Sequence, residues 1–84
     1  MQPMLVFQGF RACGTLSEHR PPTTTAPGSI TVDGVQYSIP ISVIQDIWDG
    51  ARVGTDVCLL GTYVQLAAGR ELRGKMTLGG YNPP

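Results

Sequence analysis

Tyr63, Arg70, Arg73 and Lys75 are of types that suit one kind of chemistry. A tyrosine ring offers a flat π-face on which a nucleobase stacks. Arginine and lysine carry the positive charge that meets phosphate oxygens. A single strand of nucleic acid exposes both groups, so an outward tyrosine flanked by cations is the pattern of sequence-tolerant single-strand binding. The spacing permits it. If Leu60, Val64 and Leu66 share an inward face with Leu72, Met76 and Leu78, Tyr63 falls outward beside Arg73 and Lys75. A three-residue loop closing through Gly69 sets this register. Arg70 at the loop tip extends the patch, and Phe10 and Arg11 join it if the first strand bends to turn them outward. The competing reading of the same residues is a solvated strand face whose Lys and Arg guard an edge.

Other chemistries find little support. No Ser-His-Asp set, spaced carboxylate pair, P-loop or dinucleotide fingerprint is present, so the expectation is a protein that is not an enzyme. Glu18, His19 and Arg20 lie together but lack a nucleophile, and read as part of a solvated loop. Asp46 and Asp49 read as the charged side of a helix rather than an acid–base pair. With a single histidine, His19, and no Cys-x-x-Cys, neither a metal nor another cofactor is expected. Cys13 and Cys58 sit in apolar stretches and read as buried free thiols; a disulfide between them requires their strands to be neighbours.

The chain of 84 residues is sized for one domain with one core. Its formal net charge of zero counts against a strongly basic nucleic-acid binder and removes long-range steering toward phosphate. Binding to single-stranded DNA or RNA would then be weak for a monomer, or would use a homo-oligomer that lines up several patches. A protein partner is the alternative. No apolar run reaches membrane-spanning length, and no charged segment precedes a hydrophobic one at the N-terminus, so the expectation is a soluble, cytoplasmic protein with no membrane partner.

These residues need elements to position them. Residues 29–37 alternate apolar and polar around Asp33-Gly34, the signature of a two-residue type I′ hairpin. That register sets Val32 opposite Val35 and Ile30 opposite Tyr37 on the core side. Thr31 with Gln36 and Ser29 with Ser38 take the other side, a small polar face with no aromatic. Residues 4–16 read as a long first strand bent at Gly9 and Gly14. Residues 17–28, with three prolines, read as a long flexible loop. Ser42 and Gln45 form a capping box for a short helix. Its apolar stripe is Val43, Ile44, Ile47, Trp48 and Ala51, and Gly50 ends it. Residues 57–66 and 71–78 read as the last two strands, with Leu72, Gly74, Met76 and Leu78 inward, and residues 79–84 as a disordered tail.

The order is strand, strand, strand, short helix, strand, strand, in one domain over residues 1–84. It resembles the OB-fold, a five-stranded Greek-key barrel, and within it the small single-stranded nucleic-acid-binding proteins. The Val-Gly-Thr-Asp-Val-Cys-Leu-Leu-Gly-Thr-Tyr segment ending at Tyr63 is similar to the G-x-x-V-x-V-x-G fourth strand of that superfamily. Its Gly61 marks a place where one strand passes another closely. The resemblance implies an all-β fold with one short helix plugging the barrel, and a strand face that takes single-stranded nucleic acid. An SH3-like barrel ranks second, because it does not usually carry a helix between its third and fourth strands.

Overall fold

The computed structural model describes residues 8–47 and 51–80. Six strands make one sheet: β1 (Gln8–Arg20), β2 (Gly28–Val32), β3 (Val35–Ile39), β4 (Ile44–Ile47), β5 (Asp56–Leu66) and β6 (Gly69–Gly80). The fold is all-β. No helix occurs among the described residues, and none is therefore long and apolar enough to cross a membrane.

The β2–β3 hairpin has the expected register. Asp33 at φ 53° and Gly34 at φ 79° supply the two positive angles of a type I′ turn. Ile30 opposes Tyr37, Val32 opposes Val35, and the Thr31–Gln36 and Ser29–Ser38 pairs alternate with them. Ile30, Val32, Tyr37 and Ile39 are buried, whereas Val35 at the tip is left at 36% exposure.

β1 serves two neighbours in turn. Gln8 to Thr15 pair with β5, and Leu16 to Arg20 pair with β2. The register shifts between Leu16 and Glu18, so the bulge falls at Ser17, where the strand passes from one partner to the other. Residues 17–20 are therefore strand rather than loop. Glu18, His19 and Arg20 are polar, but the edge of β2 supplies ladder hydrogen bonds that outweigh local composition. The connection shrinks to residues 21–27. It is tied by its own hydrogen bonds: the Thr25 and Ala26 amides donate to Thr23 Oγ1 at 3.2 and 3.0 Å, and the Thr23 amide donates to the Ala26 carbonyl at 2.8 Å.

The expected short helix is replaced by strand. After Pro40 the chain makes a turn, closed by the Val43 amide on the Pro40 carbonyl at 3.1 Å. It then runs parallel to β6, with Ile44 opposite Lys75 and Ile47 opposite Leu78. The capping box is unused; Gln45 instead meets His19 through side chains 3.4 Å apart. A helix would satisfy only its own backbone, whereas β4 also satisfies an edge of β6. Trp48, Asp49 and Gly50, assigned to that helix, lie outside the described residues, and Ala51 packs against the core. Of the expected tail, Gly79 and Gly80 end β6 and pair with β5; residues 81–84 lie outside the described residues.

A second parallel junction closes the sheet. Tyr37 opposes Arg70 and Ser38 opposes Glu71, so β3 and β4 follow one another along the same edge of β6. Strands β1, β2, β3, β6 and β5 thereby form a barrel-like ring of hydrogen bonds. Inside it lie Leu16, Ile30, Val32, Tyr37, Ile39, Val57, Leu59, Leu72, Met76 and Leu78. A Cβ at Gly61 would sit 3.4 Å from Met76 Cβ, an ordinary van der Waals distance, so the chain does not require a glycine there.

Cys13 and Cys58 are bonded in a disulfide, which overturns the free-thiol expectation. β1 and β5 are neighbours, and their register sets the two cysteines directly opposite each other with Cα atoms 4.0 Å apart.

Gly28, at the start of β2, leaves no room for a side chain. A Cβ there would run into the Arg20 carbonyl oxygen and come within 2.7 Å of Pro21 C and Pro22 N. Gly28→Ala is expected to cost about 1–3 kcal/mol of stability in urea unfolding, as overpacking does. Gly9→Ala, which meets nothing within 4 Å, should stay within about 0.5 kcal/mol of the parent.

Candidate functional site

The outward patch expected around Tyr63 is not assembled. β5 alternates so that Val57, Leu59, Gly61 and Tyr63 face the core side, while Leu60 faces out at 45% exposure and Leu66 at 37%. Val64 is buried, but outside the central core cluster. The β5–β6 turn holds residues 67 and 68, with Leu66 opposite Gly69, rather than a three-residue loop. The β1–β5 register sets this parity, with Ala12 opposite Leu59, Phe10 opposite Gly61 and Gln8 opposite Tyr63. Val57 and Leu59 are fully buried, and Tyr63 shares their side of the strand.

Tyr63 belongs instead to an aromatic group with Phe10 and Tyr37. Phe10 and Tyr37 stack with centroids 4.9 Å apart and planes 17° from parallel. Tyr63 meets both edge-on, at 5.1 Å from Phe10 and 5.9 Å from Tyr37. Its hydroxyl donates to Gln8 Oε1 at 2.8 Å. The Arg70 guanidinium caps the group, with Cζ 5.3 Å from the Tyr63 centroid and 5.7 Å from that of Tyr37. Arg70 Nη1 also donates to the Tyr37 hydroxyl at 3.4 Å. Three of the residues singled out in the sequence, Phe10, Tyr63 and Arg70, are thus brought together. Tyr37, read as core only, is the member sequence reasoning left out.

The other three are held elsewhere. Arg73 pairs with Glu71 at 3.2 Å, and its Nε is buried without a hydrogen-bond partner. Lys75 pairs with Asp46 at 2.8 Å, and this carboxylate raises the lysine's pKa. Arg11 points to the disulfide, with Nη2 3.8 Å from Cys58 Sγ.

Arg70 also borders a cavity. Ser29, Gln36 and Ser38 line one wall, from the outer polar face of the β2–β3 hairpin. Leu66, Gly69 and Arg70 line the other, from the β5–β6 turn. The volume is about 200 Å³. Ser38 Oγ donates to the Arg70 carbonyl at 3.3 Å and ties the two walls together. These groups can orient a polar ligand by hydroxyl and amide hydrogen bonds. Among the described residues, no three His, Cys, Asp or Glu side chains come together to hold a metal ion.

A carboxylate sits beside this wall. Ser29 Oγ donates to Glu18 Oε1 at 2.6 Å, and Gln36 Nε2 approaches the same oxygen at 3.5 Å. The Ser29 hydroxyl, foremost, holds the Glu18 carboxyl below its usual 4.5. Because the folded-state value is lowered, its stabilising contribution is present above the unfolded value and is lost as pH falls through the folded one. Ser29→Ala is expected to move the Glu18 carboxyl upward toward 4.5, read from the pH dependence of its side-chain carbon shift by NMR.

No protein-family model, curated protein or solved structure matches the chain.

Proposed function

We propose that the chain is a small OB-like barrel that binds single-stranded nucleic acid weakly, through the cleft between the β2–β3 hairpin and the β5–β6 turn. The observation that carries this reading is the position of the cleft. The ring order β1-β2-β3-β6-β5, with β3 parallel to β6, agrees with an OB-like barrel. Barrels of that kind take oligonucleotides on the face of their second and third strands, flanked by the loops after the first and fourth strands. Here those features are Ser29, Gln36 and Ser38, the residue 21–27 connection and the turn before Gly69. Phe10, Tyr37 and Tyr63 cover one another's faces, so they act as the support of Arg70 rather than as a stacking platform. Arg70 then meets a phosphate, and the hydroxyls and Gln36 amide meet base edges or sugars. Glu18 beside the cleft and the zero net charge both lower affinity.

Anisotropy titration with labelled oligonucleotides of DNA and RNA at low salt tests this. Binding should be salt-sensitive. Arg70→Ala should weaken it about fivefold and reduce the salt slope by about 0.7, the amount one phosphate contact contributes on a single strand. Lys75→Ala, away from the cleft, should change affinity less than twofold by the rule that surface charges far from a ligand contribute little. No binding at low salt for any length or composition would refute the reading.

A second reading, an oligomerisation or protein-interaction barrel, rests on a different observation. Ile41, Ile44, Ile47, Val53 and Leu60 are large apolar side chains left exposed. On that reading the solution mass from light scattering exceeds that of one chain, and Leu60→Glu lowers it.

A further inference from the structure

The disulfide lies on the outer face of β1 and β5, away from the cleft and with a different kind of chemistry. Cys13 and Cys58 are directly opposite in the ladder, with Arg11 and Leu60 forming the next pair on the same face. Arg11 reaches diagonally across to Cys58, with Nη2 3.8 Å from its Sγ. The two cysteines are unequally buried: Cys58 is only 6% exposed as a residue, whereas Cys13 is half-buried, which makes Cys13 the side from which a thiol would approach.

Two consequences follow from this placement. The strands that the disulfide joins are already held by ladder pairing from Gln8 to Thr15 on β1. The bond therefore closes no loop that the ladder leaves open, and cutting it does not require the sheet to separate. Secondly, a guanidinium beside a sulfur favours the thiolate over the thiol, and a stabilised thiolate is a better leaving group in thiol–disulfide exchange. Arg11 stands beside the sulfur that attack on the open side would release.

We propose that Cys13–Cys58 is a thiol-exchange site, reduced and re-formed by small-molecule thiols of the glutathione type while the barrel stays folded, with Cys13 the attacked sulfur and Arg11 holding the departing Cys58 thiolate. The incoming thiolate attacks Cys13 Sγ and forms a new S–S bond. The Cys13–Cys58 bond breaks, and its electron pair leaves on Cys58 Sγ. A second small thiolate attacks the sulfur of the small molecule in this mixed disulfide and releases Cys13 Sγ. Two small thiols are thereby oxidised to their disulfide, and the protein disulfide is reduced to two cysteines, which retain the two protons. Re-formation is the same sequence in reverse with the small disulfide as oxidant. Arg11 serves here as a positioning residue for the leaving sulfur.

The test uses the whole folded chain. Oxidised protein is incubated with reduced glutathione at neutral pH without denaturant, quenched with acid and alkylated, and the adduct is located by peptide mass. The expected result is a glutathionyl group on Cys13, an alkylated Cys58, and an unchanged far-UV circular dichroism spectrum after full reduction. Arg11→Gln should slow reduction about three- to tenfold, the range a leaving-group change of this kind produces. Arg11→Lys should restore most of the rate. Reduction only in denaturant, an adduct on Cys58 instead, or an unchanged rate in Arg11→Gln that keeps the parent spectrum would each overturn the proposal. The adduct position in the parent protein decides the matter even if the Arg11 variants do not fold.

Discussion

The parallel seam between β3 and β6 holds two residue pairs, Tyr37 with Arg70 and Ser38 with Glu71, and the barrel-like ring of strands closes through it. Without it β3 would present a free edge, and so would the first part of β6. Backbone pairing alone is thin support, at about 0.5–1.5 kcal/mol per hydrogen bond net. Side chains supply the rest. The Phe10, Tyr37 and Tyr63 rings pack beneath the seam, each pair contributing about 0.5–1.5 kcal/mol beyond its buried area. The Arg70 guanidinium over two of those rings adds about 0.5–1 kcal/mol more. One residue at the seam thus serves three ends: Arg70 pairs with β3 by backbone, caps the rings by side chain, and borders the cleft.

That arrangement explains why no outward stacking face forms around Tyr63. A tyrosine and several cations on the last two strands suggested an exposed stacking surface. In the folded chain the aromatic carbon is spent on closure, and the cations Arg73 and Lys75 are paired with Glu71 and Asp46. The cleft bordered by Arg70 has a mixed lining, Ser29, Gln36 and Ser38 facing Leu66 and Ala68. On the proposed reading it suits a weak, hydrogen-bonded contact more than a tight electrostatic one, in keeping with a chain of zero net charge. The disulfide joins β1 and β5 on another face.

The legible parts of the fold were those whose signals are local. Asp33-Gly34 specifies a turn by backbone conformation, and the hairpin register follows from it. Leu72, Met76 and Leu78 alternate with polar neighbours, and all three are fully buried. The rest depended on partners distant in the chain. Ser42 and Gln45 carry a helix-start pattern, but β6 offers residues 44–47 a ladder that local propensity does not include. The pairing of Cys13 with Cys58 needed the β1–β5 register. Tyr63 was misplaced because residues 57–60 are apolar at both parities. The β1–β5 register buries Val57 and Leu59, and Tyr63 shares their parity; that register joins distant parts of the chain.

The central claim, that the Tyr37–Arg70 seam closes the barrel and builds the cleft, is tested most directly by through-space NMR contacts on the folded protein. The account predicts cross-peaks between the Tyr37 ring and the Arg70 side chain, between the Tyr37 and Phe10 rings, and between backbone protons of β3 and the start of β6. A spectrum with the β2–β3 hairpin and β5–β6 ladders intact but with no contact between β3 and β6 would contradict it.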